Sequence, residues 1–333
     1  MTTSVEPFSA DDEMPHPIGA DPLWQESVFL LWWDRAAGIG GIHRIGHEPG
    51  HGISTSWVGI HTRDGESFCQ HLNLPFTEAD RTGTAFRVGD QYEADFAEGK
   101  ARWTIEETDC EMELVVTDYT PRFDLFRAGG TVTDDFAPGH LEAAGRVRGS
   151  IRLGEKRYEI DGLCYRDHSW GKRDWATLLS HRWIAGTCGP ELTFNAASWH
   201  GVDGSLRSFG IVARDGVVTH ADTVDILVFM ETDAMTHRGG VVAFELPGGE
   251  TIRIDIGPPI GGGLTTHNGV ACVDELCEFE YGGSPGFCDF EITTNPRGGS
   301  DPVSALVRAT MEKGLSRREW STGQLLSPFG VDA

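Results

Sequence analysis

Basic residues are scarce in this chain: 27 Lys and Arg stand against 51 Asp and Glu, a formal net charge of -24 over 333 residues. A surface of that sign repels phosphate backbones and anionic membranes, so nucleic acid is not an expected partner. Long apolar runs are also missing. The longest near the start, VFLLWW (Val28 to Trp33), is far too short to cross a bilayer, and no membrane insertion is expected. No charged-then-apolar leader opens the chain. The cysteines (Cys69, Cys110, Cys164, Cys188, Cys272, Cys277, Cys288) are odd in number and scattered within apolar runs. That pattern points to a reduced, cytoplasmic protein rather than a secreted, disulfide-bonded one.

Cofactor and metal fingerprints are lacking as well. Gly38-Ile39-Gly40-Gly41 has neither the rest of a dinucleotide motif nor its βαβ setting, so no cofactor is expected. Cys272 and Cys277 have no second pair at zinc-ribbon spacing. His47-Glu48-Pro49-Gly50-His51 spells the zinc-protease pattern, but that chemistry needs both histidines one turn apart on a helix, and Pro49 with Gly50 opposes a helix there. A turn between strands is expected instead, and no metal. Gly282-Gly283-Ser284-Pro285-Gly286 matches the serine-hydrolase elbow, which needs a helix after it; FCDFEI follows, so a hairpin loop is expected.

Helical periodicity is confined to DPVSALVRATMEKGLSRREW (301–320) and a turn at HLEAAGR (140–146). Elsewhere segments such as SVFLLWWDR, ISTSWVGIHT, CEMELVVTD, KRYEIDGLCY and TIRIDIG alternate apolar and polar residues, the period of half-buried strands. Asp64-Gly65, Asp203-Gly204, Asp215-Gly216 and Gly248-Gly249 stand where two-residue hairpin loops belong. The reading is all-β: two antiparallel barrel-like or sandwich domains side by side with a short C-terminal helix. Residues 1–21 mix Pro, acids and small residues as a flexible tail. The first domain spans 22–135, a linker or crossover 136–147, and the second domain 148–333. A homodimer is compatible with this layout.

One stretch is crowded beyond what a strand end requires: Tyr165-Arg166-Asp167-His168-Ser169-Trp170-Gly171-Lys172-Arg173-Asp174-Trp175. If the strand period persists, Tyr165, Asp167 and Ser169 face one way and Arg166, His168 and Trp170 the other. Downstream, HRWIAGT and LTFNAASWHG add Trp183, Asn195 and Trp199 as cavity-wall candidates. Composition leaves two readings open: a site, or a salt-bridged corner with core tryptophans.

GLCYRDHSWG resembles the G-x-x-Y-x-D-H-x-W-G signature of the two-domain lipocalin-like superfamily of carotenoid 1,2-hydratase (hydroxyneurosporene synthase), kievitone hydratase and Diels–Alderases. LLWWDRAAGIGGIHRIGHEPGHGISTSWVGI is similar to the opening strands of an uncharacterised bacterial branch with the same layout. Gly162, Tyr165, Asp167, His168, Trp170 and Gly171 match the signature; Ser169 stands where the hydratases and Diels–Alderases commonly have Asn.

The resemblance implies a pocket near the domain interface and cofactor-independent chemistry on a hydrophobic small molecule, isoprenoid, polyketide or aromatic. The expected reaction is a lyase step: hydration or dehydration of an alkene, or a proton-initiated cyclisation or isomerisation. Asp167, kept protonated by burial, is the expected acid and His168 its partner. Trp170 and Trp183 would shield a carbocation, with Tyr165, Asn195 and Trp199 contacting substrate and Arg166, Ser169 and Arg173 in support. A pericyclase without proton transfer, using Tyr165, His168 and Asn195 as donors, and a non-catalytic carrier remain as alternatives.

Overall fold

A computed structural model describes residues 8–125, 136–231, 236–267 and 270–295, and within them the alternating segments form strands almost throughout. The first sheet is built from β1 (Trp24–Asp34), β2 (Ile39–Glu48), β3 (Ile53–Thr62), β4 (Ser67–Pro75), β5 (Arg81–Thr82), β6 (Ala85–Val88), β7 (Tyr92–Asp95), β8 (Ala101–Glu106), β9 (Cys110–Asp118), β10 (Phe123–Asp124), β11 (Gly139–Leu153) and β12 (Lys156–Lys172). The second contains β13 (Leu178–Thr187), β14 (Thr193–Gly201), β15 (Leu206–Arg214), β16 (Val217–His220), β17 (Thr223–Met230), β18 (His237–Glu245), β19 (Thr251–His267), β20 (Val270–Tyr281) and β21 (Ser284–Thr294).

All pairings are antiparallel. The first sheet runs β4-β3-β2-β1-β12-β11-β9-β8-β7-β6-β5, with β10 beside β11, and the second runs β16-β15-β14-β13-β21-β20-β19-β18-β17. Each sheet curls on itself: β2 and β3 approach β6, and β14 and β15 approach β17. The result is two half-barrels. The expected hairpin turns are present, with left-handed glycines at Gly65, Gly204, Gly216, Gly248 and Gly249. His47 and Glu48 end β2 and Pro49-Gly50-His51 lie in the β2–β3 turn, while Gly282-Gly283 closes the β20–β21 hairpin.

Three apolar clusters follow from the two faces of each sheet. Trp32, Phe86, Trp103 and Leu114 fill the first half-barrel, and Phe194, Phe244, Phe279 and Phe290 fill the second. Leu31, Phe29, Tyr165, Trp183, Leu276 and Phe287 form the third, between the sheets. Each fully buried side chain of this size contributes about 1.5–3 kcal/mol. The half-barrels are thereby welded along β12–β13, β1–β21, β2–β20 and β3–β19.

The chain changes sheet between Lys172 and Leu178, later than the expected crossover at 136–147, which contains the start of β11. HLEAAGR is strand rather than a helical turn, because β11 is held by β12 along its length and by β9 along its second half. Residues 8–21, expected as tail, are docked from Phe8 onward: Arg166 donates to Glu13 (2.6 and 2.9 Å), and His16 Nδ1 lies 2.7 Å from Glu26. The expected C-terminal helix at 301–320 lies outside the described residues. All seven cysteines are free, and no helix among the described residues is long and apolar enough to cross a membrane.

Candidate active site

A cavity enclosing about 630 Å³, part of it open to solvent, lies where the two sheets face each other. The first sheet contributes Ser27 and Phe29 from β1, Arg44 from β2, Trp57 from β3, His140 from β11 and Asp167 from β12. The second contributes His181 and Trp183 from β13, Cys272 and Asp274 from β20 and Glu291 from β21. Phe136, just before β11, and Arg173 and Trp175, just after β12, complete the wall. Large aromatic faces thus alternate with ionisable groups.

The two-residue period of β12 decides which signature residues reach this cavity. Asp167 lines it with its side chain 14% exposed, and Tyr165 and Ser169 point to the same side. His168 points the opposite way, fully buried between Phe86 and Phe96, with Nε2 3.0 Å from Glu26. It therefore cannot serve as the partner of Asp167. Trp170 shares that opposite face and stacks on His16 at 3.8 Å, so it is not a cavity wall beside Trp183. Arg166, also on that face, is buried against Glu13 and Asp118 and supports the fold rather than the cavity.

On the cavity side, Arg173 donates to Ser169, which lies 3.2 Å from Ser27 Oγ. Ser169 thus anchors a guanidinium. Trp199 sits behind the wall, its ring 4.4 Å from Phe136. Asn195 and Tyr165 meet at a residue absent from the expected set, Glu142 of β11, which lies opposite Asp167 in the β11–β12 register.

Glu142 is fully buried and surrounded by donors. Tyr165 donates to Oε2, Trp183 Nε1 to Oε1 at 3.2 Å, and Asn195 Nδ2 to both oxygens at 3.0 and 2.9 Å. Burial is the dominant influence and, with the nearby charge of Asp167, holds the carboxyl well above the usual carboxylate range despite these donors. His140, two residues earlier on the same strand face, joins Glu142 to the cavity: its Nε2 is 3.4 Å from Glu142 Oε1 and 3.8 Å from Asp167 Oδ2. His140 thus sits between two carboxyls, one buried and one on the cavity wall.

Two further acids share this region. Burial, reinforced by Glu291, holds Asp274 well above the usual carboxylate range, and burial, reinforced by Asp274 and Glu291, does the same for Asp289. Arg44 and Arg173 are both pulled below the usual arginine range by burial, Arg173 to about 10 with the charge of Arg44 adding to the effect.

Gly171 of the signature is required by its surroundings. Its φ is +116°, and a Cβ there would lie 2.4 Å from Pro138 Cδ. Gly171→Ala is expected to lower stability by about 1–3 kcal/mol, read as a lower urea midpoint.

Among the described residues, one group has metal-ligand spacing: the ligand atoms of His16, Glu26 and His168 lie within 4.8 Å of one another. Arg81, however, donates to the other oxygen of Glu26. Burial opposes ionisation of Glu26, but hydrogen bonds to His16 and His168 and the charges of His168 and Arg81 outweigh it and pull the carboxyl to about 2. The guanidinium occupies the charge a cation would need, and the cluster acts as a lock between residues 8–21, β1 and β12. His168→Gln is accordingly expected to cost about 1–3 kcal/mol in urea unfolding and to leave turnover in the cavity within a few-fold of wild type.

Comparison with solved structures shows a shared fold, and the two curled antiparallel sheets are consistent with two lipocalin-like domains. A protein from Nitrosomonas europaea described as an AttH candidate aligns with a TM-score of 0.61 at 15% identity, covering 89% of this chain and 98% of that one. CghA aligns at 0.58 and 11% identity, covering 84% and 94%. Kievitone hydratase from Nectria haematococca aligns at 0.57 and 10% identity, covering 88% and 94%. A search of curated proteins returns no match. One family model, "Domain of unknown function (DUF7064)", matches residues 9–296.

Proposed function

The chain belongs to the DUF7064 family, and from the geometry of its inter-sheet cavity we propose that it is a lyase which moves a proton to and from a hydrophobic small molecule, by alkene hydration or dehydration or by a proton-initiated cyclisation. The observation that carries this reading is the buried Glu142 carboxyl, held above the usual carboxylate range, with His140 Nε2 lying 3.4 Å from it and 3.8 Å from Asp167 on the cavity wall.

Alkene protonation needs a positioned acid that holds its proton, and burial favours the protonated form of Glu142. In the hydration direction the proton passes from Glu142 through His140 to one alkene carbon. Water adds to the resulting cation at the other carbon and releases a proton to Asp167. His140, within reach of both carboxyls, returns that proton to Glu142, so the site ends as it began. The ring of Trp183 lines the same cavity and stabilises a transient cation. The name of kievitone hydratase accords with this chemistry.

The alternatives have less support. A pericyclase would aim the Tyr165 and Asn195 donors at its substrate, but both donate to Glu142. A carrier has no use for the cavity's three acids, Asp167, Asp274 and Glu291. The test is to extract the small molecule that co-purifies with the native protein, identify it by mass spectrometry, and incubate it with fresh enzyme. Conversion by the wild type that is lost in Glu142→Gln and Asp167→Asn supports the lyase; a molecule returned unchanged supports a carrier.

A further inference from the structure

Two guanidinium groups that enter the inter-sheet cavity have no contact counter-ion among the described residues. Arg44 is 5% exposed; its Nη1 donates to Thr55 Oγ1 at 2.9 Å, and its Nη2 has no partner. Its position is built: the Cζ lies 4.7 Å from the centre of the Trp57 ring, and Gly46 leaves the space the guanidinium fills, since a Cβ there would lie 2.3 Å from Nη1. Arg173 donates to Ser169 and rests over Phe136 and Trp175 at 5.1 and 5.8 Å. Among the described residues, the arginines in buried ion pairs are others, such as Arg81 and Arg166.

Burying like charges in one cavity is unfavourable unless an anion lies near. Glu48 and Asp167 offset part of the Arg44 charge through space, and Asp167, Glu291 and Glu48 part of that on Arg173, but none of them is in direct ion-pair contact with either guanidinium among the described residues, and burial with Glu291 disfavours the charged form of Asp274. An unpartnered guanidinium edge, fixed in a plane and backed by an aromatic ring, suits the bidentate recognition of an oxyanion.

We infer that the cavity's ligand carries an anionic oxygen group, a carboxylate or an enolate, held between Arg44 and Arg173 with its apolar body against the aromatic walls. The inference rests on the proposed function only in placing the ligand in this cavity. It makes the substrate an amphiphile rather than a pure hydrocarbon.

The test is calorimetric titration of the full chain with naphthalene-2-carboxylate and with its neutral counterpart, naphthalene-2-methanol. The carboxylate is expected to bind about tenfold tighter or more, the effect of a charged hydrogen bond. Arg44→Gln and Arg173→Gln reduce its affinity to that of the alcohol and leave the alcohol unaffected, whereas Arg44→Lys keeps part of the preference. Equal wild-type affinities overturn the inference, as do undetectable carboxylate binding and a preference that survives in the Arg44→Gln, Arg173→Gln double variant. The wild-type comparison stands even if a variant fails to fold. Because binding is read without turnover, an acid preference in a protein whose turnover ignores Glu142 removes the lyase reading alone. Turnover that needs Glu142 without an acid preference removes this inference alone.

Discussion

Glu142→Gln is expected to lower turnover by about 10²- to 10⁴-fold, the range of a lost general acid, while the two sheets stay folded. The amide fills the same space, but its single oxygen accepts from either Tyr165 or Trp183, which donate to different oxygens of the carboxyl, and it has no acidic proton to give to His140. The substitution also has a pH signature. The folded carboxyl lies well above 4.5, so the native state holds its proton more tightly than the unfolded chain does. The stability this adds is complete below the unfolded value and is lost as pH rises through the folded one. The advantage of wild type over Glu142→Gln in urea unfolding is therefore expected to shrink as the pH is raised from 4 to 8. A constant difference would mean that Glu142 is ionised in the fold.

The second large effect concerns stability. Arg166→Met removes the cation between Glu13 and Asp118, to which Arg166 donates at 2.6 to 2.9 Å. Taking away one partner of a buried pair leaves the other charge uncompensated, at a cost of about 3–5 kcal/mol. That is a large share of the 5–15 kcal/mol typical of a domain. The loss has a definite pH direction. Burial opposes ionisation of Glu13, but Arg166 outweighs it and holds the carboxyl below 4.5. This contribution is present above pH 4.5 and fades as the pH falls through the folded value. The penalty of Arg166→Met, read from urea midpoints, is expected to be largest near neutral pH and to diminish in acid.

The strands were legible because alternation and turn glycines act locally: CEMELVVTD needs only its own period to declare a half-buried strand, whereas β1, with its unbroken VFLLWW, is buried on both faces. The face of each β12 residue followed from the same period, which places Asp167 toward the cavity and His168 away from it. What alternation could not supply was the partner. HLEAAGR carries Leu, Glu and Ala, good helix formers, and so obscured the strand bearing His140 and Glu142; pairing with β12 overrides that preference. A signal was available in Glu142 itself, an acid flanked by Leu and Ala in a segment with no charged neighbour closer than Arg146. The docking of residues 8–21 was hidden for another reason. Glu13 and His16 find their partners through the fold, at Arg166 and Glu26, and no local pattern encodes either contact. The hydroxyl of Ser169 holds Arg173 at the cavity, a contact that no local pattern encodes.

In the proposed reaction Glu142 supplies the proton exchanged in the inter-sheet cavity. The most direct measurement is mass spectrometry of the co-purifying molecule after incubation in D2O with wild type and with Glu142→Gln. Deuterium bound to carbon in the wild-type reaction and absent from the variant is the predicted result; equal incorporation by both proteins would contradict it.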